Sequence, residues 1–249
     1  MKEKIHTIPV NEAFDSGDEC PFCYIERDVE RRALRFVAGP GASYMEPDIR
    51  AETNRLGFCP GHMQKLYDYG NLLGAALMLQ THYEELLAQL HTGLEKPGED
   101  RKKPLFRKKQ PNAGELYWEA LAGRVGDCYV CDKVSSNMDR YYSTFYHLIR
   151  EPEFRAKAEN SKGVCLRHLA QLLAGEEKLP AGQREWFYGT WLPKVEENLL
   201  RVKGDLDWFI AKHDYRNAGG DWKQSRDALP RTMQKIAGIH PTDKPYKQE

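Results

Sequence analysis

All six cysteines of this 249-residue chain, with two of its eight histidines, fall into four short motifs. Cys20-x-x-Cys23 is followed by Cys59-x-x-His62, and Cys128-x-x-Cys131 by Cys165-x-x-His168. The gap inside each set is about thirty-five residues. Each set offers three thiolates and one imidazole, the ligand complement of a closed tetrahedral zinc site. The two-residue spacer lets both members of a pair point at one ion from a single turn. A second reading attaches to the "CPFC" of Cys20 to Cys23, which matches the Cys-Pro-aromatic-Cys of a redox dithiol. That chemistry needs a β-strand leading into the first cysteine. Here the lead-in is "DSGDE", polar and turn-like. The second set has "CYVC", and each C-x-x-C has its own C-x-x-H. Metal ligation is therefore expected at Cys20, Cys23, Cys59, His62, Cys128, Cys131, Cys165 and His168.

The flanks point to an internal duplication. "EPDIRAETNRLGFCPGHMQKL" precedes and spans the first C-x-x-H, and "EPEFRAKAENSKGVCLRHLAQLL" the second. Glu46-Pro47 aligns with Glu151-Pro152, Arg50-Ala51 with Arg155-Ala156, Gly57 with Gly163 and Leu66 with Leu172, with one residue inserted in the second copy. Such a repeat predicts two related halves, each closing its own metal site.

The apolar pattern is helical throughout, and no segment alternates as a strand does. After Cys20 the stripe is Phe22, Ile25, Val29, Ala33, Phe36 and Val37, ended by Gly39-Pro40-Gly41. Short helices are expected after Pro47 and from Pro60 to Tyr69. A long and strongly apolar one follows over Leu72 to Leu94, with Leu73, Leu77, Tyr83, Leu86, Leu87, Leu90 and Leu94. Val134, Met138, Tyr141, Tyr142, Phe145 and Leu148 restart the plan after Cys131. A second long helix is expected near Pro193 to Lys212. The fold class is all-α. The expected division is a first helical repeat over 1–94, a flexible basic linker over 95–114, a second repeat over 115–213 and a C-terminal tail over 214–249.

Lys+Arg and Asp+Glu both number 37, so no net field draws the chain to nucleic acid or an anionic membrane. The longest apolar run, around Leu72 to Leu79, is too short to span a bilayer. The stretch from Met1 to Glu19 lacks the apolar region of a secretory signal. A cytoplasmic protein with reduced thiols is therefore expected, and with it metal ligation over disulfides. Zinc is expected at both sites, in a structural role because all four positions are filled. The alternative is a pair of iron–sulfur clusters serving electron transfer or redox sensing, which three cysteines and a histidine can hold. Neither C-x-x-C is followed by His, so the usual haem attachment is excluded. The sequence has no H-E-x-x-H, G-x-S-x-G, G-x-x-x-x-G-K-[ST] or G-x-G-x-x-G.

A third reading, an enzyme or small-molecule binder, rests on the tail. "HDYR" gathers His213, Asp214, Tyr215 and Arg216, with Trp222 and Arg226 close behind. These residues suit an anion held by guanidinium with proton transfer from His213 and Asp214. They suit equally a helix C-terminus followed by a polar turn. "RKKPLFRKK", Arg101 to Lys109, reads as a solvated linker, because aromatics are not interleaved with its charges. Trp186, Phe187, Tyr188 and Trp191 read as core. His82, His91 and His147 read as packing or surface residues.

The paired motifs, the "GFCPGH" turn and the closing "KHDYRNAGGDWKQSRDALPRTMQKIAG" resemble a bacterial family of uncharacterised cytosolic proteins, over nearly the full length. Asp227-Ala228-Leu229 stands where that family's pattern has Arg-Ala-Leu. The resemblance implies a helical protein with paired metal sites and implies no reaction. The expected function is a zinc-stabilised scaffold or adaptor for a protein partner.

Overall fold

The structure, a computed structural model, describes residues 6–95, 121–217, 219–241 and 243. Among these there is no β-strand. Among the described residues these helices carry the fold: α1 (Thr7–Asp15), α2 (Pro21–Ala38), α3 (Pro47–Leu56), α4 (Pro60–Tyr69), α5 (Leu72–Glu95), α6 (Tyr129–Leu148), α7 (Pro152–Asn160), α8 (Leu166–Ala174), α9 (Leu192–Lys212) and α10 (Ala228–Ala237). Residues 121–126 are also helical. The basic segment Arg101 to Lys109 lies outside the described residues, as does the expected linker apart from Glu95.

Proline sets several of these starts. Pro21, Pro47, Pro60 and Pro152 are each the first residue of their helix, where the missing N–H is no loss and φ is already helical. Pro193 acts differently. The helix ahead of it is wound as a π-turn over Phe187–Trp191 before α9 continues regularly. The pyrrolidine ring removes one backbone donor, and a local widening of the turn accommodates that loss.

The chain divides into two compact units, and the division does not follow the expected linker. Among the described residues, one unit comprises 6–29 with 136–243 and the other 30–135. The boundaries fall inside α2 and α6. These helices have 18 and 20 residues, so each carries the chain about 27–30 Å along its axis.

The first unit is built on aromatic contacts. Phe14 meets Phe22, Phe145 and Phe154 at ring-centroid distances of 5.9, 5.7 and 5.1 Å. Trp191, fully buried, packs on Phe145 at 5.3 Å and on Phe187 at 5.0 Å. Trp186 lies at the margin of this cluster and donates its indole N–H to Glu159. Tyr188 is part-exposed and donates its hydroxyl to Glu176.

The second unit has a mixed aliphatic and aromatic core of Leu34, Val37, Leu56, Phe58, Leu66, Tyr69, Met78, Tyr129 and Val130. Helix α5 departs here from the sequence expectation. Leu73, Tyr83, Leu87 and Leu90 are exposed, while Gly74, Ala75, Met78 and His82 are buried. Helices α3 and α5 pack together. His82 Nδ1–H donates to the Asn54 carbonyl at 2.7 Å.

The tail helix α10 is inverted. Its polar residues Arg231, Gln234 and Lys235 are buried, while Leu229, Met233 and Ile236 are exposed. The buried face grips the approach to the first C-x-x-C. Lys235 Nζ donates to the Glu19 carbonyl at 2.6 Å and to the Lys162 carbonyl at 2.5 Å. Gln234 donates to Asp18 Oδ1 at 2.6 Å, and Arg231 pairs with Asp205 and Asp227 at 2.8 Å.

Candidate metal centres

Each of the four motifs occupies the same local structure. Cys59 and Cys165 are the N-cap residues of α4 and α8, in extended backbone, and His62 and His168 sit three residues on, in the first turn. Cys20 and Cys128 immediately precede α2 and α6, with Cys23 and Cys131 in the first turn. The Cys20 and Cys128 carbonyls accept the first helical hydrogen bonds, from the amides of Tyr24 and Asp132. A pair spaced i, i+3 at a helix start projects from one face, beside the unpaired amides of the first turn. Those amides favour thiolates. His168 N–H lies 3.4 Å from Cys165 Sγ, and Cys131 N–H 3.5 Å from Cys128 Sγ.

The pairs are combined differently from the sequence expectation. Cys20 and Cys23 meet Cys165 and His168 in the first unit, and Cys59 and His62 meet Cys128 and Cys131 in the second. Each C-x-x-C therefore joins the C-x-x-H of the other half, and neither half closes a site alone. The length of α2 and α6 is the reason. Each long helix takes the chain out of the unit in which its C-x-x-C sits before the next C-x-x-H is reached.

The donor atoms fit one ion per cluster. In the first, His168 Nδ1 lies 3.4, 3.4 and 3.2 Å from the Sγ atoms of Cys20, Cys23 and Cys165, and Cys23 Sγ is 3.6 Å from Cys165 Sγ. In the second, His62 Nδ1 lies 3.2, 3.3 and 3.3 Å from Cys59, Cys128 and Cys131, and Cys59 Sγ is 3.8 Å from Cys131 Sγ. A tetrahedral ion with ordinary zinc bond lengths places neighbouring ligands about 3.8 Å apart for two sulfurs and about 3.5 Å for sulfur and nitrogen. The sulfurs are too far apart for a disulfide, whose bond is about 2.05 Å, and all six thiols are free. These two Cys₃His clusters can bind metal.

Electrostatics point the same way. In the first cluster, hydrogen bonds to Cys165 and Cys20, with burial, push the Cys23 thiol far up. Contacts with Cys20, Cys23 and His168 hold Cys165 far down against burial. In the second, burial works to raise Cys128, but the hydrogen bond with His62 and the Cys131 and Cys59 amides bring it to about 6. Burial raises Cys131, and the neighbouring Cys128 raises it further. Burial works against a protonated His62, yet Cys128 and Glu30 hold its pKa at about 10. Each cluster thus has crowded thiols that cannot all ionise together. A divalent cation among them removes that conflict.

Two carboxylates that the sequence reading did not single out lie behind the imidazoles. Glu30 Oε1 is 2.9 Å from His62 Nε2 and accepts from Lys65 Nζ at 2.5 Å. Glu26 Oε2 is 3.5 Å from His168 Nε2, and the carboxylate is gripped by the Arg167 guanidinium. A partner such as Glu30 orients a ligating imidazole and fixes its tautomer, whereas His168 Nε2 is buried without a hydrogen bond and meets Glu26 through charge alone. Both carboxylates sit on α2, four residues apart, in the run after Cys23. That acidic spacing is visible in the sequence, but the histidine each would face is not.

The tail residues are engaged in local contacts. His213 is exposed and packs edge-on against Phe209 at 5.0 Å and Trp222 at 6.0 Å. Arg216 spends its guanidinium on Asp214, two residues away, at 2.6 Å. Tyr215 and Arg226 are exposed. Buried Lys212 holds the loop instead, donating to the carbonyls of Asn217 and Gly220 at 2.7 and 2.6 Å.

The chain matches, over residues 1–243, the model of a family of unknown function, DUF6062. It belongs to that family. It is also similar to an uncharacterized 23.9 kDa protein in the xynA 3′ region of Caldicellulosiruptor sp. (strain Rt8B.4), at 26% identity over 202 residues, which are 80% of this chain and 85% of that protein. No solved structure matches. Among the described residues, no helix is long and apolar enough to cross a membrane.

Proposed function

We propose that this DUF6062 protein is a zinc-stapled helical scaffold or adaptor. Each of its two ions ties a helix start from one half of the sequence to a helix start from the other. The observation that carries this reading is the tightness of the donor sets: in each cluster the four ligand atoms lie within 4.8 Å of one another. An iron–sulfur cluster distributes its ligands over several irons and so spreads them more widely than one ion does. Four protein ligands also fill a tetrahedral zinc, leaving no position for a reacting water. The role that remains is to hold helices. Three thiolates and one divalent ion carry a net charge of −1, which suits a centre surrounded by helix N-termini.

The adaptor part of the reading is supported by the inverted tail helix, whose apolar face of Leu229, Met233 and Ile236 is turned to solvent. Elemental analysis with an absorbance spectrum, on protein purified without oxygen, tests the metal. Two zinc ions per chain and no visible absorbance are expected. Iron with sulfide would replace the scaffold with an electron-transfer protein. Six titratable thiols and no metal would end both readings.

A further inference from the structure

The two clusters share a ligand set but not an environment. All four residues of the first, Cys20, Cys23, Cys165 and His168, are buried. In the second, His62 and Cys128 are buried, Cys59 is half-buried and Cys131 is exposed. The exposed thiol also has a close sulfur neighbour, Cys59 Sγ at 3.8 Å. We infer that the second cluster is a redox-modifiable metal centre, in which peroxide oxidises Cys131, Cys59 closes a disulfide with it, and the ion is released. This rests on the zinc reading above.

The chemistry balances with peroxide as the oxidant. The Cys131 thiolate attacks one peroxide oxygen. The O–O bond breaks, the sulfur gains that oxygen as sulfenic acid, and the other oxygen leaves as water after protonation. The Cys59 thiolate then attacks the Cys131 sulfur. The S–S bond forms, the S–O bond breaks, and hydroxide departs to become a second water. Two thiolates, one peroxide and two protons thus give one disulfide and two waters. His62 and Cys128 remain as two ligands, too few to retain the ion against water. On the ion all three cysteines are thiolates, so exposure selects the one that oxidises.

The first cluster is an internal control. Its Cys23 and Cys165 sulfurs are as close, at 3.6 Å, but both are buried. Proximity alone would make the two centres react alike, and access makes them differ.

The test uses the wild-type protein loaded with zinc. Metal content is measured first, so a chain without two zinc ions ends the parent reading before any oxidant is added. Hydrogen peroxide is then titrated with a metallochromic indicator present, followed by alkylation and peptide mass spectrometry. Loss of one of the two zinc ions is expected, with a Cys59–Cys131 cross-linked peptide and with Cys20, Cys23 and Cys165 still reduced. A dimedone adduct on Cys131 is expected early in the reaction, and thiol reductant with added zinc restores the second ion. Loss of both ions together, loss of neither, or a disulfide that includes a cysteine of the first cluster would overturn the proposal.

Discussion

Cys23 and Cys165 are separated by 142 positions in the chain, and their Sγ atoms lie 3.6 Å apart. The pairing of each C-x-x-C with the distant C-x-x-H makes metal content depend on combinations of residues in a way the sequence order does not suggest.

Double substitution separates the two pairings. Cys20→Ser with Cys165→Ser damages one cluster and is expected to leave one zinc per chain. Cys20→Ser with Cys59→Ser damages both and is expected to leave none. Pairing within each half predicts the reverse. Native mass spectrometry reads the stoichiometry directly, and the single variants, each keeping one ion, show that the remaining centre survives.

Glu30→Gln should weaken the second centre without touching the first. Its carboxylate lies 2.9 Å from His62 Nε2 and orients the ring that Nδ1 presents to the sulfurs. Loss of such a partner lowers metal affinity by roughly 10–100-fold. Competition against a chromophoric chelator should show one ion leaving at lower chelator concentration and the other unchanged. Two ions shifting together, or no shift, would mean the carboxylate does not act on the ring.

Protons should compete with metal at both centres. Thiolate and neutral imidazole are the binding forms, so zinc uptake releases protons and affinity falls as pH falls. Titration of the zinc protein from neutral to acid, followed with an indicator, should release both ions and bring on unfolding at the same pH. Acid unfolding with the ions still bound would show that the metal does not hold the fold.

The eight donors, the all-helical class and the proline-started helices were legible because they are local patterns. Partner choice was not. Spacing within each half is the same whichever C-x-x-H a C-x-x-C joins, and the length of α2 and α6 decides between them. The apolar pattern of α5 misled for a related reason. A helix rich in leucine on several sides has no unique stripe, and close packing against α3 selects Ala75, Met78 and His82 for burial. Glu26 and Glu30 were hidden because an acidic residue on a helix is ordinarily solvated, and only the fold brings an imidazole to it.

Gly57 tests the second unit's geometry without touching a ligand. It ends α3 at φ +58°, and a Cβ there would stand 2.4 Å from His82 Nε2. Gly57 also accepts a hydrogen bond from the Tyr129 amide at 2.9 Å, next to Cys128.

The inverted helix α10 gives the sharpest contrast. Lys235 is 2% exposed and its ammonium lies 3.4 Å from Glu19 Oε2, beside the two carbonyls it serves. Glu19 keeps Arg201 at 2.6 Å when Lys235 is removed, but the Glu19 and Lys162 carbonyls lose their donor, and a buried polar group left unsatisfied costs about 1–3 kcal/mol. Lys235→Ala is therefore expected to lower stability by that order in chemical denaturation. Leu229→Ser, Met233→Ser and Ile236→Ser lie on the outer face, and each should change stability by no more than about 0.5 kcal/mol. An ordinary amphipathic helix gives the opposite ranking. If the serine variants lose more stability than Lys235→Ala, the outer face is covered and α10 does not pack by its charges.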